Sequence, residues 1–181
     1  SLGDGVNGIV RALKVVNGQL MVGGGFTQEG IAGQTLYGIG AWDGAAWHAV
    51  AGGLGNSADG WALYDVGSQL FAGGKFLVNG VTKSAVMQHS GSMWTTVGIG
   101  SSFSNVVAMC EYQGRLIVGG DFPSMGGVSP GRIAQWDGSS WQALGQGVGG
   151  TVLALSVFKG KLIAGSDLPV PSQNDSQSLL T

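Results

Sequence analysis

One short phrase occurs four times in this chain. Gly18-Gln-Leu-Met-Val-Gly-Gly-Gly-Phe26 returns as Ser68-Gln-Leu-Phe-Ala-Gly-Gly-Lys-Phe76 and as Gly114-Arg-Leu-Ile-Val-Gly-Gly-Asp-Phe122. A weaker copy is Gly160-Lys-Leu-Ile-Ala-Gly-Ser-Asp-Leu168. The equivalent leucines, Leu20, Leu70, Leu116 and Leu162, stand 50, 46 and 46 residues apart. Self-similarity at this period means that one supersecondary unit is repeated and stacked on itself. A repeat explains a scaffold; function has to be argued from sites upon it.

Each unit reads as four short strands. The first is Val10–Val16, matched by Gly60–Val66, Val106–Tyr112 and Val152–Phe158. The second is the phrase above. The third is Gly38–Trp42, matched by Ala85–His89 and Arg132–Trp136. The fourth opens on Trp47, Trp94 or Trp141 and runs to Val50, Val97 or Leu144. Their length, their β-branched and aromatic content and their glycine punctuation predict strands. No long 3.6-residue period predicts a helix.

The turns agree. Asn17-Gly18 predicts a two-residue hairpin whose central residues both need positive φ, and Gln113-Gly114 and Lys159-Gly160 are weaker versions. Asp43-Gly44, Ser90-Gly91 and Asp137-Gly138 turn the third strand into the fourth. The two aspartates are read as turn caps, because no Asp-x-Asp-x-Asp spacing supports calcium. The glycine doublets let strands approach where a Cβ would clash. The three tryptophans are read as filler between wedge-shaped sheets, with ligand stacking as the alternative.

Composition limits the partners. Of 181 residues only 10% are charged, the net charge is -2, and no Lys/Arg cluster occurs, which excludes a nucleic-acid surface. No apolar run reaches the ~20 residues of a membrane-spanning helix, so no membrane insertion is expected. The 36 glycines against 4 prolines, spread among alternating apolar segments, predict tight turns rather than a disordered linker. The single Cys110 excludes an internal disulfide and is read as a small core residue. No cofactor or metal is expected.

Four antiparallel strands per unit at this period predict an all-β fold, a β-propeller of four-stranded blades. The Gly-Gly doublet closing the second strand, the aromatic on the third and the Trp opening the fourth resemble the kelch type of blade. The fuller pattern, with Trp42-Asp-Gly-x-x-Trp47 and Trp136-Asp-Gly-x-x-Trp141, is similar to the extracellular repeats of polarity-marker and bacterial surface proteins. Unit 2 departs from it with His89-Ser90, and unit 4 with Gly165-Ser166 and no following Trp. The resemblance spans residues 1–167, in blades of about 6–50, 51–97 and 98–144 and a partial blade at 145–167. Residues 168–181 read as a loop or disordered tail. Ser1–Val6 aligns with the stretch from Leu144 to Val148. Three full blades and part of a fourth are therefore expected, as an incomplete ring, part of a larger propeller, or a form that two copies close.

Loop lengths are uneven. The gaps 12 to 20, 62 to 70, 108 to 116 and 154 to 162 are all 8, and 42 to 47, 89 to 94 and 136 to 141 are all 5. The remaining two connections in each unit vary. In a zigzag blade those two lie on one face, so the face built by residues 27–37, 51–60, 77–84, 98–105, 123–131 and 145–151 is the expected interaction face. Candidate binding residues there are Tyr37, Asp59, Trp61, Lys83, Phe103 and Arg132. Trp61 stands where the other units have Arg11, Val107 and Leu153, and is either a packing substitution or a platform for a sugar or partner.

Three functions are carried forward. The first is a non-catalytic extracellular or cell-surface binding module for a protein or glycan. The second is a structural assembly repeat that self-associates. The third, implied by the resemblance, is a carbohydrate-active or galactose-oxidase-like enzyme. Such a copper site needs converging His and Tyr ligands and a Cys–Tyr crosslink. Two His, three Tyr and one Cys show no such arrangement, and no catalytic residues are assigned.

Overall fold

In the computed structural model of the chain, residues 2–31, 33–56, 58–102, 104–167 and 179–180 are described. They form only strands, turns and loops. Blade 1 comprises β1 (Ile9–Val16), β2 (Gln19–Gly25), β3 (Ile39–Trp42) and β4 (Trp47–Ala49). Blade 2 comprises β5 (Asp59–Val66), β6 (Gln69–Val78), β7 (Val81–His89) and β8 (Trp94–Ser102). Blade 3 comprises β9 (Val106–Tyr112), β10 (Arg115–Gly120), β11 (Ile133–Trp136) and β12 (Trp141–Ala143). Blade 4 holds β13 (Val152–Phe158), β14 (Lys161–Ser166) and β15 (Leu179–Leu180). Every sheet is an antiparallel meander in chain order. Of the expected tail, Leu179–Leu180 pairs with β14, while residues 168–178 and 181 lie outside the described residues.

The predicted turns form as expected. Asn17-Gly18, Gln113-Gly114 and Lys159-Gly160 all have positive φ at both positions. Blade 2 reaches the same turn with the glycine first, as Gly67-Ser68. Two loop expectations fail. Residues 77–84 were expected to form a loop, yet β6 and β7 extend through them around Asn79-Gly80, with φ of 50° and 78°. Asn-Gly flanked by Val78 and Val81 is itself a strong hairpin signal. Similarly, β8 continues to Ser102, into the expected 98–105 loop.

The blades stack in sequence through three apolar layers. One joins Met21, Ile39 and Ala41 of blade 1 to Leu63, Leu70, Ala72 and Phe76 of blade 2. The next joins Ala62, Phe71 and Val86 to Leu116, Val118, Phe122 and Trp141. The third joins Cys110, Ile117 and Ile133 to Val152, Leu162 and Ala164. A fourth cluster, Val22, Phe26, Leu36 and Trp47, lies on the outer side of blade 1.

The glycine doublet serves two contacts. Its first glycine faces the next blade: Leu63 Cδ1 lies 3.3 Å from where a Cβ of Gly23 would stand. Its second faces the blade's own first strand: Cβ atoms on Gly24, Gly74 and Gly120 would overlap the carbonyl oxygens of Ile9, Asp59 and Asn105. The tryptophans do more than fill space. Trp94 Nε1 donates to the Val50 carbonyl at 3.0 Å and Trp141 Nε1 to the Val97 carbonyl at 2.7 Å, both in the preceding blade. Trp47 Nε1 makes the equivalent bond to Leu2 at 3.0 Å. Leu2 thus occupies the place of a preceding blade's last strand, in the register that its alignment with Leu144 implies.

Candidate functional site

The topology places the long connections on one face, and backbone bonds tie them together. Leu54 N donates to the Tyr37 carbonyl, Gly126 N to Ile99 and Val148 N to Gly131. Val6 bridges Glu29. Val6, Leu54 and Val148 belong to crossovers between blades and Ile99 to the latter part of β8, and each lies against a second-to-third-strand loop.

At the start of every blade's first strand the ladder slips by one residue. The pairing jumps from Val10 to Ala12, Gly60 to Ala62, Val106 to Ala108 and Val152 to Ala154. The bulged residues are therefore Arg11, Trp61, Val107 and Leu153, the set in which Trp61 was the odd member. A bulge withdraws a residue from the ladder and re-aims its side chain. The first two of these residues meet. Arg11 Nε donates to Asp59 Oδ1 at 2.7 Å, and Trp61 Nε1 donates to Asp59 Oδ2 at 3.1 Å. The guanidinium carbon lies 3.9 Å from the Trp61 ring centroid. Further along the same strands Lys14 Nζ contacts Asp65 Oδ1 at 2.7 Å and sits 4.3 Å above the Tyr64 ring. Blades 1 and 2 thus share two cation–carboxylate–aromatic units. Each ion pair is part-exposed and adds about 0–1 kcal/mol to stability; its larger effect is to fix an aromatic ring.

The other candidates are spread around the face. Tyr37 is half-buried with φ 48°, on the second loop of blade 1. Lys83 lies within β7 opposite Phe76 and Ser102, not on a loop. Arg132 has φ 70° beside Gly131, and its guanidinium donates to the Gly149 carbonyl. Phe103 lies outside the described residues. So the structure joins Asp59 to Trp61 and adds Arg11, which the sequence reading had named only as a counterpart. The usable signal was the register itself: an Arg and a Trp at one position in adjacent units.

The opposite, short-turn face carries the clefts. Between blades 1 and 2 a cavity of about 300 Å³ is lined by Val16, Met21, Ala41, Leu70, His48 and His89. Between blades 2 and 3 the equivalent wedge is about 140 Å³, with Val66, Phe71, Gln88, Leu116 and Trp136 in the matching places. The larger one lies where His89 replaces the repeat's Trp. His89 Nε2 has no hydrogen-bond partner there, and burial lowers its pKa. His48 pairs instead with Asp43 at 2.7 Å.

Asp43 and Asp137 are the turn caps predicted. Asp43 Oδ1 accepts from Ala45 N and Ala46 N, and Asp137 Oδ1 from Ser139 N and Ser140 N, all at 2.8 Å. These bonds hold Asp43 down at about 2 and Asp137 well below the usual carboxylate range. Cys110 is buried, and burial pushes its thiol up to about 11. Among the described residues no three His, Cys, Asp or Glu side chains converge as a metal site.

The fold and site define an all-β protein of stacked, blade-like repeats. Solved structures similar to it include a computationally designed protein, Ika8, at 17% identity and a TM-score of 0.52. The match covers 89% of this chain and 45% of that one, so this chain spans less than half of that protein's length. At this identity the likeness concerns the fold alone. No protein-family model and no curated protein matches the sequence.

Proposed function

We propose that this chain is a non-catalytic binding and scaffold module of an extracellular or cell-surface protein. It presents its long-loop face to a protein or glycan. The observation that carries this reading is the Arg11–Asp59–Trp61 unit. Trp and Arg dominate the energetics of recognition surfaces when they are held rigid in half-buried positions. Here one carboxylate fixes both, at 2.7 and 3.1 Å. Loops of variable length surround them, and Arg132 keeps a left-handed backbone on the same face, a strain that concentrates at sites of use. The protonated core thiol of Cys110 suits a scaffold better than a nucleophile. The test is binding to arrays of immobilised glycans and extracellular proteins. Signals lost in Trp61→Ala and retained in His89→Ala support the reading. Signals indifferent to Trp61 refute it.

A further inference from the structure

The two wedges on the short-turn face are built alike, so their linings compare position by position. Between blades 2 and 3 the wedge is walled by Phe71 and Gln88 of the earlier blade and Trp136 of the later one, and about 140 Å³ remains open. Between blades 1 and 2 the same positions hold Met21, Ala41 and His89, and the opening is about 300 Å³. Strand register supports the match, because Met21 pairs with Ala41 as Phe71 pairs with Gln88. Each exchange is toward a smaller side chain. Small-molecule sites begin at about 300 Å³. The first wedge reaches that size and its sister does not.

The lining defines the occupant. No Lys, Arg, Asp or Glu lines the first wedge, so a charged group would be desolvated there without a partner. Val16, Met21, Val50 and Leu70 supply apolar wall, while Asn17 and Ser68 of the short turns mark the mouth. A Met thioether packs favourably against the edge of an aromatic ring. The His89 ring lies 5.0 Å from the Trp94 ring, much as Trp136 lies 5.2 Å from Trp141. An imidazole therefore stands where the sister wedge has an indole, and what the exchange removes is the fused six-membered ring. His89 Nε2 is enclosed and has no hydrogen-bond partner. Burial favours its neutral ring, which offers an N–H or a lone pair at that atom.

We propose that the blade 1–2 wedge is a binding site for one uncharged aromatic ring, of indole or phenol size, that carries an N–H or O–H group. The ring takes the space that Trp136 and Gln88 fill in the sister wedge and lies against Met21 and Leu70. Its polar group is the partner that His89 Nε2 lacks. A free small molecule and a Trp or Tyr side chain of another protein both carry this chemistry. The site lies on the face opposite the long loops and is independent of the reading above.

The test is titration of the 181-residue chain with indole, phenol, toluene, N-acetyl-tryptophanamide and methyl glucoside, followed by amide chemical shifts. Indole or phenol is expected to saturate one site per chain, with shifts confined to residues 16–21, 48–51, 68–70 and 88–91. Toluene, which makes no hydrogen bond, binds roughly three- to tenfold more weakly. N-acetyl-tryptophanamide binding as tightly as indole assigns the site to a protein side chain; weaker binding assigns it to a free small molecule. Ala41→Gln and His89→Trp restore the sister wedge's bulk from opposite walls. Each is expected to abolish saturation while amide shifts away from the wedge stay in place. No saturation by indole or phenol, toluene binding as tightly as either, a preference for methyl glucoside, or saturation that survives either substitution overturns the proposal.

Discussion

The indole nitrogen of Trp94 lies 3.0 Å from the carbonyl oxygen of Val50, 44 residues earlier and one blade back. Trp141 repeats the bond to Val97, and Trp47 repeats it to Leu2. The recurrent Trp is thus an inter-blade staple as well as a filler. Replacing Trp94 by Phe keeps an aromatic body and leaves the Val50 carbonyl without its donor. The expected loss is about 1–2 kcal/mol, the cost of an unsatisfied part-buried acceptor plus some lost packing. Urea denaturation of the two proteins checks it.

Glycines at one register position should differ in their tolerance. A Cβ on Gly119 would overlap Val152, which is fully buried in the next blade. Gly119→Ala therefore costs about 1–3 kcal/mol through overpacking. Gly165→Ala, which among the described residues meets only Ala154 at 3.8 Å, leaves the unfolding midpoint unchanged. Equal losses at both positions would contradict the assigned blade contacts.

Arg132 occupies the position of Gly38, and both have positive φ, 70° and 82°. An L-residue pays roughly 1–2 kcal/mol for that backbone. Arg132→Gly is expected to raise stability by about 1 kcal/mol while weakening binding to the long-loop face. Thermal unfolding and array binding, measured on the same preparation, check both halves.

His89 sets a pH dependence. Burial lowers its pKa, so the folded state favours the neutral ring. Such a group contributes stability that is complete above the unfolded value near 6.5 and is lost as pH falls below it. His48 lines the same cleft and is tied to Asp43. His89→Trp, which restores the aromatic of units 1 and 3, is expected to fill the wedge, raise stability by roughly 0.5–2 kcal/mol and remove this part of the acid sensitivity. Unfolding midpoints of both proteins at pH 7.5 and 5.5 test it. At lower pH Asp43, held at about 2, and Asp137 lose their turn-capping advantage as pH falls below the ordinary 3.8.

Strand identity was legible because the signals were local. Asn17-Gly18, the doublets and the Trp spacings each specify their own turn or contact, and Val106–Tyr112 and Val152–Phe158 form strands with the predicted bounds. Asn79-Gly80 carries the same hairpin signal, in a stretch that the repeat pattern makes a loop in the other units. The Arg11–Trp61 contact was hidden for another reason. It arises between adjacent blades at a shared bulge, and the bulge appears only once strand pairing is known. The enlarged wedge at His89 likewise depends on what surrounds the missing Trp, although the departure from the repeat was visible.

The central claim, recognition by the long-loop face, is tested most directly by the amide hydrogen-exchange footprint of a partner taken from the arrays. Slowed exchange at residues 27–37, 51–60 and 123–131, with residues 43–46 and 90–93 unaffected, is the predicted result. Protection confined to those short turns and to the His89 wedge would contradict it.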